Sequence, residues 1–272
     1  NIKNIINVTG FDLYTYVIDW PEFRDLQRAF FKSGVIDIEM LTDHAIFASL
    51  FKIRRENNIK IVLSGSNYAT EQGIPNAWVW PKMDLRNIKG IQKRFGDMNL
   101  KSFPAMGRLS WMIMRNLNIG GTFIAPLNMV TYKKTSAMEV LSKVFDWQYY
   151  GGKHYESVFT KFYQAYVLPE KFGVDKRKVH FSDLLRNGEM TREQADKELK
   201  KTLYDPKELK SDKKFVLKKL GFTEDEFEKI IRKKPVPHDF YPTSQPMIRI
   251  LVNFVKALLK CKDKTLNLIK VK

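Results

Sequence analysis

Cysteine is nearly absent from this chain of 272 residues, in which Cys261 stands alone. One thiol closes no internal disulfide and builds no multi-cysteine metal site, so both frameworks are excluded for this chain acting alone. Histidine is almost as scarce. His44, His154, His180 and His238 are scattered, and no two have the i, i+4 spacing of a helical metal pair. No apolar run approaches the roughly 18 to 20 residues that a spanning helix needs, so no transmembrane segment is expected. Asn1 to Gly10 lacks the apolar stretch of a secretory leader, which makes a cytoplasmic location the expectation. There is no internal repeat and no low-complexity block. G-x-S-x-G, the Walker A motif and G-x-G-x-x-G are also missing, leaving no motif for a serine hydrolase, a P-loop NTPase or a dinucleotide fold.

What is present is a foldable, basic chain. With 44% hydrophobic and 13% aromatic residues it can bury a proper core. Its 47 basic against 30 acidic side chains give a net charge of +17. From Lys197 to Lys272 the count is 20 Lys plus Arg against 10 Asp plus Glu, so more than half of the excess lies there. Most of it is lysine on helical stretches, which suits a solvated face better than base or phosphate reading. No DNA partner is expected; anionic small substrates or an acidic partner fit better.

The first third reads as alternating α/β. Asp12 to Asp19 is β-branched and aromatic and predicts a strand. Pro21 opens a helix with Phe23, Leu26 and Phe30 on one face, stopped by Gly34. Thr42 or Asp43 caps a second helix bearing Ile46, Leu50 and Ile53, which ends at Asn57-Asn58. Ile59 to Leu63 then reads as a short buried strand. Two strands do not make a stable sheet. The first ten residues read as the last turns of a helix stopped by Gly10, and together these points lead us to expect a piece of a longer chain. Met83 to Phe95 and Leu109 to Leu117 read as helices, and Gly120 to Val130 as a short strand. Beyond that the chain is helical, with segments near 154–168 and 175–187. Capping boxes are expected at Ser136, Thr191 and Thr223, and a cap with first-turn proline at Asp205-Pro206. A last helix carries Ile248, Leu251, Val255 and Leu258. The division expected is 1–72 as a partial α/β domain, 73–240 as a loop-rich and helical substrate domain, and 241–272 as a basic amphipathic tail.

Three stretches offer chemistry. Ser64, Gly65 and Asn67 follow a strand at the edge where open parallel sheets bind ligands, and Glu71 is placed to hold Mg²⁺. A plain strand-ending turn is the other reading. Gly151 to Glu156 places two glycines, Lys153 and His154 before a helix with Lys161, an anion site or simply a packed amphipathic helix. Asp175 to His180 sets Lys176, Arg177 and Lys178 at a helix start, against the macrodipole. That needs a compensating anion from Asp175, Glu170, Asp183 or a ligand. His44, beside Asp43, is a base or a polar first-turn residue.

The phrases IDWPEFRDLQRAFFKSGV, TDHAIFASLFKI, IVLSGSNYATE, KMDLRNIKGI, LYDP and the long block from WQYYGGKHYESVFTKF to SDLLRNGEMTREQA carry a resemblance. In order and spacing, from roughly Asn1 to Asp239, they resemble the bacterial N-acetyl sugar amidotransferases of surface-polysaccharide synthesis. That family belongs to the PP-loop ATP pyrophosphatases. The resemblance implies an adenine-nucleotide-hydrolase-like parallel sheet, incomplete here, followed by a mostly helical C-terminal region. It implies that ATP adenylates the acetamido oxygen of a nucleotide-linked or nonulosonic acid sugar, such as pseudaminic or legionaminic acid. Ammonia then displaces AMP to leave an acetamidino group, for lipopolysaccharide O-antigen or flagellin glycans. The ammonia would come from a glutaminase subunit with a histidine-biosynthesis-like synthase subunit.

Carried over residue by residue, Ser64, Gly65, Asn67, Asp43 and His44 would face the nucleotide and Glu71 the Mg²⁺. Lys153, Lys161, Arg177, Lys178 and His180 would hold the sugar's anionic groups or pyrophosphate. His154 or Glu156 would manage the proton that ammonia loses. Two departures matter: the S-G-G-x-D-S phosphate loop and the family's cysteine-bearing zinc region are absent from these residues. The stretch by itself is therefore expected not to turn over ATP, and zinc is expected only with that missing region. Two rivals stand beside this reading: a basic RNA-binding or tRNA-modifying module, and a catalytically silent scaffold for the glutaminase.

Overall fold

The computed structural model of the chain describes residues 1–116, 122–149 and 157–256. Helix α1 (Ile2–Thr9) ends at Gly10 in the left-handed conformation, and α2 (Trp20–Ser33) is capped by Asp19 and stopped by Gly34. Between them residues 11–19 form no strand, against the β-rich composition; Phe11 and Val17 remain 70% and 83% exposed. β propensity measures fit to a half-buried pleated surface, and among the described residues no neighbouring strand supplies one. Helix α3 (Met40–Glu56) starts two residues before Thr42, and its buried face is Met40, Leu41, His44, Ala45, Ala48 and Phe51. The expected face is rotated away, with Ile46 exposed.

The sheet is small. Strand β1 (Ile61–Leu63) pairs in parallel with β2 (Thr122–Ile124), Ile61 opposite Thr122 and Leu63 opposite Ile124. β1 is not the buried strand expected, since Ile61 and Leu63 are exposed. Phe51 of α3 meets Phe123 at 5.8 Å and covers one face. The other described residues are mostly helical, as expected. Helices α4 (Leu85–Phe95), α5 (Arg108–Asn116) and α6 (Lys134–Phe145) follow. Ser136 lies inside α6 and caps nothing; the helix begins after Lys133 without a side-chain cap.

From Val158 to Phe172 the chain is helical but interrupted. Helix α7 (Val158–Phe162) passes through a π-helical turn (Tyr163–Val167) into α8 (Leu168–Phe172). Helices α9 (Arg177–Arg186), α10 (Arg192–Leu199), α11 (Pro206–Leu220) and α12 (Glu224–Arg232) come next. The capping boxes at Thr191 and Thr223 form, and Asp205 caps α11 ahead of Pro206. Residues 245–256 are helical, with Ile248 buried but Leu251 and Val255 not; Leu258 lies outside the described residues.

One apolar cluster joins α2, α4, α7, α11 and α12 through Leu26, Phe30, Ile88, Phe162, Leu217 and Phe227. Phe31 meets Phe227 and Phe222 at 5.7 and 6.1 Å, edge to face, a geometry worth about 0.5–1.5 kcal/mol per pair beyond burial. Helix α4 reaches Pro242 through Gly90, where a Cβ would stand 2.8 Å from the proline ring.

Buried carboxylates tie the loops to this core. Glu22 accepts the backbone N–H groups of Lys101, Ser102 and Phe103 and the Ser102 hydroxyl. Asp25 accepts from Asp97, Met98 and Gln92. Asp84 caps α4 and accepts from Trp80 Nε1, Thr243 and Ser244. Burial pushes Glu22 upward, but its hydrogen bonds from Ser102, Phe103 and Lys101 outweigh it and leave the carboxyl below its usual range. The acids of the PEFRD and KMD phrases thus serve as loop anchors.

Candidate functional site

Two loops leave the carboxyl ends of the parallel pair, and α9 closes over them. After β1, Ser64 donates its backbone N–H to Ile124 at 2.7 Å, and its hydroxyl meets that of Ser66 at 2.8 Å. Asn67 is buried, and its side-chain oxygen accepts from the Thr70 N–H and hydroxyl, which closes a local turn. After β2, Asn128 accepts the Tyr68 N–H at 2.8 Å and joins the two loops. Buried Asp183 on α9 then accepts the Gln72 N–H at 3.1 Å and pairs with Arg186. Gly73 makes this approach possible, because a Cβ there would lie 3.1 Å from Asp183 Oδ1.

The result is a cavity of about 310 Å³ lined by Tyr68, Gln72, Asn128, Tyr132, Asp183 and Arg186 among others. Ligand pockets of open parallel sheets lie in this place, outside the strands' carboxyl ends. The lining combines phenol rings, amides, a carboxylate and a guanidinium, a donor and acceptor set suited to a hydroxyl- and amide-bearing ligand with an anionic group. Burial, then the charges of Glu189 and Glu71, push the Tyr132 phenol upward and keep it a neutral donor. A larger cavity of about 600 Å³ lies against α3, with Ala48, Phe51, Pro104, Met106 and Met114 in its lining together with the charged Lys52, Arg55 and Glu56.

At the amino end of α9 the structure places a second polar cluster. Lys82 Nζ bridges Asp37 at 2.8 Å and Asp43 at 3.0 Å, while Lys176 reaches Glu39 at 3.9 Å. The π-helical turn faces it: Gln164 donates to Glu39 at 3.1 Å, and the Tyr163 hydroxyl donates to the Ile36 carbonyl. Such turns recur at functional sites. Burial pushes Lys82 down, but Asp37 and Asp43 more than offset it and hold the amine above its usual range. Burial raises Glu39 and lowers Lys176.

The residues flagged in the sequence divide accordingly. Ser64, Gly65, Asn67 and Glu71 belong to the loop beside the cavity, although nothing approaches Gly65 closely. Asp43 joins the charged cluster. His44 does not face a ligand, because it is fully buried and both nitrogens are engaged. Nε2 accepts the Met106 N–H, so Nδ1 donates to the Lys82 carbonyl, and burial keeps the ring neutral. Lys161 turns to Glu208 and Asp212 on α11. Arg177 pairs with Asp175 and donates to carbonyls of Glu198, Leu199 and Lys201, pinning the end of α10. These two are anchors rather than ligand groups. Lys178 is exposed, and His180 is half-buried beside Phe181. Lys153, His154 and Glu156 lie outside the described residues.

Sequence reasoning passed over Asp37, Glu39, Lys82, Asn128, Tyr132 and Arg186. The cation run at 176–178 was the available signal, and the anion for Lys176 comes from Glu39, far away in sequence. Among the described residues no three His, Cys, Asp or Glu side chains come together to hold a metal, and no helix is long and apolar enough to cross a membrane.

The site thus belongs to a mostly helical α/β chain with a polar cavity at the carboxyl edge of a parallel strand pair. Residues 156–258, which include α9, match the family described as the C-terminal domain of LPS biosynthesis protein WbpG-like proteins. No curated protein and no solved structure matches the chain.

Proposed function

We propose that this chain forms the acceptor-binding part of an ATP-dependent sugar amidotransferase of lipopolysaccharide synthesis, which converts an acetamido group to acetamidino. The observation that carries the reading is the cavity whose third wall, α9, lies within the stretch similar to a lipopolysaccharide-synthesis domain. The acceptor is an acetamido sugar, nucleotide-linked or a nonulosonic acid. Tyr68, Asn128 and Tyr132 would orient it, and Arg186 would pair with its anionic group.

An amide carbonyl is a poor electrophile, and adenylation turns its oxygen into a leaving group. The acetamido oxygen attacks the α-phosphorus of ATP, the bond to the β-phosphate breaks, and pyrophosphate leaves. Ammonia, delivered by the glutaminase and synthase-like subunits, then adds to the imidate carbon and AMP departs. Enclosure of the imidate keeps water from competing with ammonia. Glu71, exposed on the loop beside the cavity, would hold Mg²⁺ together with the ATP phosphates and waters. The ion would supply charge neutralisation at the phosphates. The phosphate loop must come from outside these 272 residues.

The test is ATP consumption by the protein that carries this chain together with such a loop. AMP release, not ADP release, should rise with an acetamido sugar plus ammonia and not with the corresponding free-amine sugar. ATP consumption indifferent to the acetamido group would remove the reading.

A further inference from the structure

The larger cavity lies apart from the acceptor cavity. It runs beside the second half of α3, from Ala48 to Glu56, with Pro104, Met106 and Met114 of α5 also in its wall. Eight residues of helix rise about 12 Å, the length of a nucleoside monophosphate. Because α3 turns directly into β1, its last turns sit at the amino end of the strand pair, opposite the carboxyl edge. Segment 11–19 is tied down beside it. The Tyr14 hydroxyl donates to Asn57 Oδ1 at 3.1 Å, and the Tyr16 hydroxyl donates to the Ser102 carbonyl at 3.3 Å, which brings Tyr16 into the lining. Two features of this lining lack a partner within the chain. Ser49 is only 7% exposed, yet its hydroxyl makes no hydrogen bond to another described residue. A buried hydroxyl is expensive to leave unpaired. The second feature is charge. Lys52 and Arg55 line the cavity, and neither meets a carboxylate among the described residues. Buried Arg54 lies 5.7 Å from the Phe51 ring centre, and its Nη1 makes no hydrogen bond. Against these three cations stands one lining carboxylate, Glu56, and the carboxyl pole of α3 offsets only about half a charge.

We propose that this cavity is a binding site for a nucleoside phosphate, separate from the acceptor cavity and independent of the amidotransferase reading. The base lies in the apolar part, against Phe51 and the thioethers of Met106 and Met114, groups that pack well on aromatic rings. The Ser49 hydroxyl meets a heteroatom on the edge of the base. An alkyl chain would fill the same space but leave that hydroxyl unpaired, which disfavours a fatty acid or lipid tail. Lys52 and Arg55 hold the phosphate, and Glu56 accepts from the ribose hydroxyls. At about 600 Å³ the cavity falls within the size range of small-molecule sites.

Titration calorimetry on the protein that carries this chain tests the site, with AMP, GMP, UMP and CMP, the four matching nucleosides, and decanoate as an alkyl anion. At least one monophosphate should bind, about tenfold or more tighter than its nucleoside. Replacing both exposed cations, Lys52→Gln with Arg55→Gln, should erase that advantage and leave the nucleoside affinity unchanged. Ser49→Ala should weaken nucleotide and nucleoside alike, by about fivefold. Thermal unfolding confirms that the variants are folded. Absence of binding by all four monophosphates would overturn the proposal. So would a monophosphate affinity unchanged in both folded variants, which places the nucleotide elsewhere, or decanoate that binds more tightly than any nucleotide and displaces it.

Discussion

Burial of His238 predicts how the stability of this chain depends on pH. Its ring stacks on Trp80 with centroids 5.0 Å apart and planes 9° from parallel. Nε2 accepts the Asp37 N–H at 3.3 Å, and Nδ1 donates to Asn87 Oδ1 at 2.8 Å. Burial and the nearby Lys82 charge push the imidazole down from 6.5 to about 3. Above pH 6.5 the ring is neutral in both folded and unfolded chains, and the contribution is complete. As pH falls below that value the unfolded chain binds a proton that the folded chain refuses, so stability drops. The slope is about 1.4 kcal/mol per pH unit, roughly 2 kcal/mol by pH 5 relative to pH 8. His44 is shifted in the same direction and adds to the fall. Urea unfolding at constant ionic strength from pH 8 to pH 5 measures it. His238→Asn keeps a neutral hydrogen-bonding group and should flatten the curve by that amount, whatever its cost at pH 8. Equal pH dependence in the two proteins would refute the buried, neutral assignment.

Three other outcomes follow from the same structure. Phe227→Ala empties the centre of the apolar cluster, where the ring is fully buried, and should cost about 3–5 kcal/mol in denaturant unfolding. Glu22→Gln leaves the N–H groups of 101–103 with a poorer acceptor and should cost about 1–3 kcal/mol. Because folding lowers this carboxyl, its contribution is present above the unfolded value near 4.5 and fades as pH falls below it, a more acidic window than that of His238. Transfer RNA should bind only weakly near 0.15 M salt, and a filter-binding titration that shows tight binding with a steep salt slope would favour the RNA-binding rival.

The helices were legible where local chemistry decides. Pro21 in the first turn of α2, Asp205-Pro206 and the boxes at Thr191 and Thr223 formed as read, because such signals require only a few neighbouring residues. The strand expected at 12–19 and the burial of β1 were misread, because burial depends on what packs alongside. For the same reason Arg177 and Lys161 looked like ligand groups. Asp175, one of the acids the sequence offered, is the anion that Arg177 meets, whereas the α10 carbonyls on Arg177 and the α11 carboxylates on Lys161 emerge only with the fold. Of the loop after β1, the residues that line the cavity are Tyr68, Ala69 and Gln72 and not the flagged Ser64, Gly65, Asn67 or Glu71, and Asn128 and Arg186 meet it only through β2 and α9. Glu39 carried no signal, since its partners Gln164 and Lys176 lie more than a hundred residues away.

The most direct test of the central claim follows nitrogen. The protein carrying this chain and its phosphate loop is given ATP, Mg²⁺, an acetamido sugar acid and ammonia labelled with heavy nitrogen, and the sugar is read by mass spectrometry. The account predicts that one labelled nitrogen replaces the acetamido oxygen, in step with AMP release. A sugar that keeps its oxygen and takes up no label while ATP is consumed would contradict it.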